Sequence, residues 1–314
     1  MTHSSSDASS ATPTRYRGRF APSPTGPLHF GSLLAALASY LEARRHHGEW
    51  LVRMEDVDTP RTVPGAADDI LRTLDALGFV WDEAVLYQSR RDDAYDEALD
   101  ELADNGMLYA CSCSRKQVAA ETGWRGGQLI YPGTCRSRGL ARDRGLSQRV
   151  LTAGARVRFT DEIQGTVEQN LATEIGDFVL RRVDGIYTYQ LAVVVDDAAQ
   201  GVTHVVRGSD LLDSTPRQIY LQQLLGMPPP RYSHIPIATD ARGVKLSKQT
   251  GALAVDARQP ARALWRALVF LDQTPPPELC RAEPRVLWSW AEENWSPARI
   301  RPGLAHAETT IGNA

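Results

Sequence analysis

Lysine is nearly missing from this chain: three stand among 314 residues, against 32 arginines. Cysteine is almost as scarce, and four thiols are too few to staple a chain of this length into a disulfide scaffold. A reducing, cytoplasmic setting is the default reading. No run approaches the ~20 apolar residues of a membrane span, so no membrane partner is expected. The net charge of −3 excludes a global basic footprint for nucleic acid. Internal repeats are absent too, as are the GxxxxGK[ST] phosphate loop and the GxGxxG dinucleotide turn. The first 14 residues are rich in Ser, Thr and Ala without an apolar centre, and read as a disordered tail rather than a signal peptide. What remains is ordinary globular composition, 42% hydrophobic, with length for a large core.

Against that scarcity, two of the three lysines share one tetrapeptide, Lys245-Leu246-Ser247-Lys248. An ammonium is a compact charge on a flexible stem and can follow a phosphate whose charge moves, where a guanidinium holds one bidentate geometry. A chance pair on a solvated loop is the plain alternative. Near the other end, Arg17 to Ala21 reads as a short strand stopped by Pro22 and Pro24, and Leu33, Leu34, Leu37, Ala38 and Leu41 recur at helical spacing. A helix is therefore expected just after His29-Phe30-Gly31-Ser32. Its N-terminus offers unpaired N–H groups to a phosphate, Gly26 and Gly31 let a ligand approach the backbone, and His29 can donate to a phosphate oxygen.

Along the chain, Trp50 to Met54 reads as a second strand, making a βαβ start to a parallel sheet. Ile70, Leu71, Leu74 and Leu77 form one helical face ended by Gly78, and a further helix spans about Asp92 to Asn105. Residues 106–176 look like an insertion, with a Gly-rich turn at Gly123 to Gly127 and β-like pieces near Arg156 to Thr160. The apolar run Tyr187 to Asp196 suits a buried strand. Thr215-Pro216-Arg217-Gln218 has the spacing of a capping box, on a helix closed by Gly226. Ile235 to Ala238 reads as a last strand, and Asp240 to Gly243 as a turn presenting the lysines. From Gln259 the pattern is helical, broken at Pro275 to Pro277.

Within the insertion, Cys111-x-Cys113 with Cys135 some 20 residues later suits a tetrahedral zinc site, although no His between them supplies a fourth ligand. Cys280 stands alone and reads as a small buried residue. Arg136, Arg138, Arg142, Arg144, Arg149, Arg156 and Arg158 cluster within 23 residues with Asp143 as the one acid among them. That cluster is either a solvated basic loop or a contact for an RNA backbone.

Taken together, His29-Phe-Gly-Ser32 and Lys245-Leu-Ser-Lys-Gln249 resemble the HIGH and KMSKS elements of class I aminoacyl-tRNA synthetases. Phe20-Ala-Pro-Ser-Pro-Thr-Gly26 and Leu51-Val-Arg-Met-Glu-Asp-Val-Asp58 are similar to the glutamyl and glutaminyl branch. Leu28-His-Phe-Gly-Ser32, Val63-Pro-Gly-Ala-Ala67 and Leu191-Ala-Val-Val-Val-Asp-Asp197 resemble its short paralogues, which glutamylate queuosine in tRNA(Asp). The likeness covers roughly residues 15 to 255 with the motifs in the expected order. It implies an α/β fold: a Rossmann-type parallel sheet with a zinc-bearing insertion and a short helical C-terminal region.

The implied activity is tRNA-independent activation of L-glutamate with ATP, then transfer of glutamate to queuosine at the wobble position of tRNA(Asp). His29, Gly31, Ser32 and Lys248 would serve ATP, Lys245 would support the same loop, and Mg²⁺ would bridge the phosphates. Glutamate presents two carboxylates and one ammonium, to which two arginines and one carboxylate are complementary. By motif position these are Arg19, Arg207 and Glu55, with Phe20, Ala21, Pro22, Ser23 and Tyr189 around them. The resemblance also makes Tyr131 the fourth zinc ligand beside Cys111, Cys113 and Cys135.

The implied division is a catalytic domain in two halves, 15–105 and 177–255, around the insertion at 106–176, then a helical region at 256–314. Only 66 residues follow Lys248, which leaves no room for the anticodon-binding domain of full-length glutamyl-tRNA synthetases. Nothing here demands more than a monomer. The competing readings are a truncated conventional glutamyl or glutaminyl synthetase charging a tRNA 3′ end, a small-molecule nucleotidyltransferase, and a zinc-stabilised RNA-binding module without activity.

Overall fold

The structure is a computed structural model that describes residues 15–123, 129–143, 145–152, 154–240 and 254–307. The expected N-terminal tail, most of the Gly-rich turn, Arg144, Lys245 and Lys248 lie outside the described residues.

The chain opens with β1 (Arg17–Phe20), α1 (Phe30–Arg45) and β2 (Glu49–Met54), and β1 pairs with β2 in parallel. His29 is the N-cap of α1, so the helix starts at Phe30 rather than after Ser32. Leu33, Leu34, Leu37 and Leu41 are fully buried on α1, and small Ala36, Ala38 and Ala43 bury its other faces. Next come α2 (Ala66–Ala76), ended by Gly78 at φ +85°, then β3 (Leu86–Tyr87), parallel to β2, and α3 (Asp92–Asp104).

The segment that follows holds β4 (Leu108–Cys111), α4 (Arg115–Thr122), β5 (Ser147–Val150), the antiparallel hairpin of β6 (Arg156–Asp161) and β7 (Gly165–Asn170), and α5 (Leu171–Glu174). Its sheet runs past residue 176, because β8 (Val179–Arg181) pairs antiparallel with β5.

The apolar run expected as a strand is instead α6 (Tyr189–Ala199). Leu191 to Asp197 are all buried, so the helix shows no polar stripe. Without a stripe, periodicity cannot separate a buried helix from a buried strand, and three consecutive valines bias the reading toward strand. Packing among α3, β8 and α7 (Thr215–Leu224) overrides that propensity.

Between α6 and α7 lies β9 (His204–Gly208); after α7, β10 (Arg231–Ile235) pairs with β9 in parallel. The Thr203 N–H donates to the Arg17 carbonyl at 2.9 Å and sets β9 beside β1. The two parallel sheets, 3-2-1 and 9-10, thus lie edge to edge with β1 beside β9, and the direction of progress reverses between those two strands. In open α/β sheets ligands sit outside the carboxyl ends of the strands at such a switch point.

The capping box at Thr215 does not form: Ser214 occupies the N-cap, and the Thr215 hydroxyl accepts from Arg207 Nη2 at 2.7 Å. The strand expected over Ile235 to Ala238 is cut by Pro236, which has no N–H to give a ladder. Ile235 ends β10, and β11 (Ile237–Thr239) pairs in parallel with β12 (Ala305–Ala307), after α8 (Pro260–Phe270) and α9 (Pro284–Asn294). The C-terminal region is therefore helical with a closing strand. Trp295 Nε1 donates to Glu42 at 2.5 Å and Trp288 Nε1 to the Leu77 carbonyl at 2.9 Å, which ties α9 to the first βα units, while α8 packs on α1. Cys280 is half-buried rather than buried. Among the described residues, no helix is long and apolar enough to cross a membrane.

Candidate active site

A cleft of about 670 Å³ opens at the carboxyl ends of β1, β2, β9 and β10. Arg19, Phe20, Ala21, Pro22, Ser23, His29, Gly31, Ser32, Glu55, Tyr189 and Arg207 all line it. The residues expected to hold glutamate therefore share one hollow with His29, Gly31 and Ser32 of those expected to hold ATP. Backbone bonds build the floor: Glu55 N–H donates to the Pro22 carbonyl and Val63 N–H to the Pro24 carbonyl, both at 2.9 Å. The two prolines, having no N–H, turn the chain out of β1 and leave carbonyls to receive these bonds.

At the head of α1, His29 Nδ1 accepts from the Ser32 N–H at 3.3 Å, and Nε2 lies 3.0 Å from the Ser32 hydroxyl. With Nδ1 accepting, the imidazole proton sits on Nε2, the donor side. Lys245 and Lys248 belong to residues 241–253, and the described chain on either side of these reaches the cleft. Ile237 and Ala238 line it before that segment. After it, Ala254 bridges His29 and the Val255 N–H donates to the Leu28 carbonyl at 2.9 Å.

The deeper end of the cleft is an ionic network. Asp197 accepts from Arg19 Nε at 3.1 Å and from Arg53 Nη2 at 2.7 Å. Arg53 Nη2 also stands 3.6 Å from Glu55, and Arg53 Nη1 donates to Gln200 at 2.9 Å. Burial opposes the charge on Arg53, but Asp197 and Glu55 more than offset it and hold the guanidinium more basic than usual. Burial pushes Asp197 up, yet Arg19 and Arg53 win and keep it below the usual carboxylate range. Glu55 goes the other way: burial raises it against the pull of Arg53 and Arg19.

Three guanidiniums (Arg19, Arg53, Arg207) face two carboxylates (Glu55, Asp197), a net charge of +1. A dicarboxylate with one ammonium carries −1 and neutralises it. Arg53 and Asp197 were not singled out from sequence. The available signal was an Arg two residues before the expected Glu55 and an adjacent acid pair closing an apolar run.

Arg207 is buried on β9. Its Nε donates to His234 Nε2 at 3.0 Å and its Nη1 to the Tyr189 hydroxyl at 3.1 Å. Burial drives the His234 imidazole down to about 4, against Asp161 2.6 Å from Nδ1, so the ring is neutral near pH 7.

Away from the cleft, the Cys111, Cys113 and Cys135 sulfurs lie within 4.8 Å of one another. Cys113 and Cys135 Sγ are 3.5 Å apart, and the Tyr131 hydroxyl is 3.3 Å from Cys111 Sγ and 3.6 Å from Cys113 Sγ. Ligands ~2.3 Å from a tetrahedral metal sit at such mutual distances, so the set fits a metal ion. Burial pushes the Cys135 thiol up, but hydrogen bonds from Tyr131, Ser112 and Cys113 bring it to about 6.

The arginine cluster disperses. Arg136 makes a two-pronged bond to Asp177 at 2.5 and 2.9 Å, and Arg149 lies 4.0 Å over the Tyr131 ring. Arg142 and Arg156 pair with Asp100 and Glu168, while Arg158 is exposed. Arg136 and Arg149 brace the cysteine-bearing segment.

The family model for class I tRNA synthetases (E and Q), catalytic domain, matches residues 15–264. A glutamyl-Q tRNA(Asp) synthetase of Dechloromonas aromatica is 58% identical over 283 residues, covering 90% of this chain and 94% of that protein. One from Aromatoleum aromaticum is 56% identical over 281 residues, covering 90% and 89%. Among solved structures, the glutamate-tRNA synthetase of Elizabethkingia anophelis superposes with a TM-score of 0.79 at 25% identity, over 94% of this chain and 68% of that one.

Proposed function

Because the chain belongs to the class I tRNA synthetases (E and Q) and carries their catalytic domain, we propose that it activates L-glutamate with ATP in the absence of tRNA and transfers it to queuosine at the wobble position of tRNA(Asp). In the first step a glutamate α-carboxylate oxygen bonds to the α-phosphorus of ATP, the bond to the β-phosphate oxygen breaks, and pyrophosphate leaves. In the second a hydroxyl of the queuosine cyclopentenediol attacks the glutamyl carbonyl and AMP leaves. Such transfers need positioning and charge stabilisation rather than a protein nucleophile.

The observation that carries the reading is the joint lining of one cleft by Arg19, Glu55 and Arg207 and by the His29 turn. Glu55 receives the ammonium, and Arg19 and Arg207 the two carboxylates. His29 Nε2–H and the first N–H groups of α1 hold the triphosphate, brought as its Mg²⁺ complex, together with Lys248 and Lys245 of the KMSKS-like motif. Cys111, Cys113 and Cys135 would hold Zn²⁺ with the Tyr131 phenolate as fourth ligand, and the metal would supply a structural cross-link within the insertion. Cysteines outside any disulfide fit a cytoplasmic setting, and the cleft is lined by one chain, which suits a monomer.

The test is ATP–pyrophosphate exchange without tRNA, followed by [¹⁴C]glutamate transfer to tRNA(Asp) with and without queuosine. Exchange dependent on glutamate, and labelling confined to the queuosine-bearing RNA, are expected. Labelling of unmodified tRNA(Glu) at its 3′ end would instead identify a conventional synthetase. Lys248→Ala should lower exchange by about a hundredfold, the scale of losing one transition-state charge contact.

A further inference from the structure

Arg207 is held by a chain of contacts that begins in the insertion. Asp161, the last residue of β6, is buried. Its Oδ1 accepts from the backbone N–H groups of Ile163, Gln164 and His234 at 3.0, 2.8 and 3.1 Å, and its Oδ2 faces His234 Nδ1 at 2.6 Å. A carboxylate ringed by donors stays ionised and can only accept, so the imidazole proton is fixed on Nδ1. His234 Nε2 then carries a lone pair, and the Arg207 Nε–H points at it from 3.0 Å. The opposite tautomer would bring two N–H groups together at that distance. Arg207 Nη2 is taken by the Thr215 hydroxyl at 2.7 Å and the Leu211 carbonyl at 3.4 Å. With Nη1 also bonded to Tyr189, which lines the cleft beside Arg207, four of the five guanidinium N–H groups are used, and the fifth belongs to Nη1.

We infer that Asp161 and His234 are positioning residues that lock the Arg207 guanidinium in the one orientation that presents Nη1 to a carboxylate of the amino acid. The inference rests on glutamate being the substrate. It adds that a hairpin of the insertion, far from the reacting atoms in sequence, completes the amino-acid site. Gln164 strengthens the tie, donating from Nε2 to the His234 carbonyl at 2.8 Å.

Asp161→Asn tests it. The asparagine keeps an acceptor for the backbone N–H groups but turns a donor toward Nδ1, which places the imidazole proton on Nε2 and sets it against Arg207. The KM for glutamate in ATP–pyrophosphate exchange should rise about 10- to 100-fold, the scale of one charge-assisted hydrogen bond, with the KM for ATP within about twofold. Gln at position 234 offers a carbonyl near the place of Nε2 and needs no partner at 161. The double variant Asp161→Asn/His234→Gln should therefore recover most of the lost glutamate affinity. A merely structural role would move both KM values together and show no rescue. Should Asp161→Asn fail to fold, His234→Leu against His234→Gln makes the same comparison. ¹⁵N NMR of the unaltered protein should show His234 protonated on Nδ1 alone; protonation on Nε2, or an unchanged KM for glutamate in Asp161→Asn, overturns the relay. Absence of glutamate-dependent exchange in the unaltered protein would sink the functional reading instead, while the NMR result still judges the relay.

Discussion

Asp196 and Asp197 are consecutive on α6 yet serve two separate networks. Asp196 accepts from Tyr95, Gln88 and Arg91 at 2.7, 2.9 and 2.9 Å, whereas Asp197 accepts from Arg19 and Arg53 at the floor of the cleft. A helix turns about 100° per residue, which is enough to aim neighbours at different elements. Asp197→Asn leaves two buried guanidiniums short of a counter-charge and should cost about 3 kcal/mol or more of stability. It should also raise the KM for glutamate. Asp196→Asn should destabilise without moving that KM. Urea unfolding paired with glutamate titration checks both, and an equal KM for the two variants would refute the division.

Glu55→Gln should separate function from stability. The buried carboxyl has its pKa raised by desolvation, so its ionised form is disfavoured where it stands. Glutamine removes that cost and also removes the partner of the substrate ammonium. The KM for glutamate should rise roughly 10- to 100-fold, as for a lost charged hydrogen bond, while the melting midpoint holds or increases. A lower midpoint with unchanged KM would contradict the assignment.

Stability should climb with pH between about 4 and 6.5. His234 and His204 are both driven down by burial to about 4, from about 6.5 unfolded. In that window the unfolded chain binds protons that the folded one does not, so each imidazole favours unfolding as pH falls, with a slope of at most about 1.4 kcal/mol per pH unit. Asp161, Asp177 and Asp197 are depressed, and their contribution is lost at still lower pH, as it falls through their folded values. Glu55, being raised, runs the other way, one group against the two imidazoles in that window. Urea midpoints at half-unit pH steps provide the check, and a flat profile from 4.5 to 6.5 would be inconsistent with buried neutral imidazoles.

Metal analysis of the purified protein should find one zinc per chain, lost in Cys135→Ser and retained at reduced affinity in Tyr131→Phe. Chelation should lower the melting midpoint by several degrees, because Arg149 stacks on Tyr131 and Arg136 grips Asp177 beside β5. A midpoint indifferent to chelator would argue against a structural metal.

Much of the site was legible because its residues lie at element boundaries with strong local punctuation. Pro22, Pro24 and Gly26 mark the turn after β1, and His29 heads a helix whose leucines keep a clear period. α6 was not legible, since burial on every side removes the polar stripe that betrays a helix. The single strand read over Ile235 to Ala238 passed over Pro236, and the outcome, two strands in two different sheets, depended on Ala305 pairing with Ile237 from 68 residues away.

Local chemistry in the chain thus decided which residue types stand at the ends of β1, β2 and β9 and where three thiols recur. Only the folded arrangement decided that these ends meet, that Asp197 and Arg53 lie beneath them, and that Asp161 reaches Arg207 through His234. The physical reason is range: backbone propensity and turn chemistry act over a few residues. Partners for buried charges are chosen across distances from 27 to 178 residues, by whichever elements the core packing brings within about 3 Å of one another.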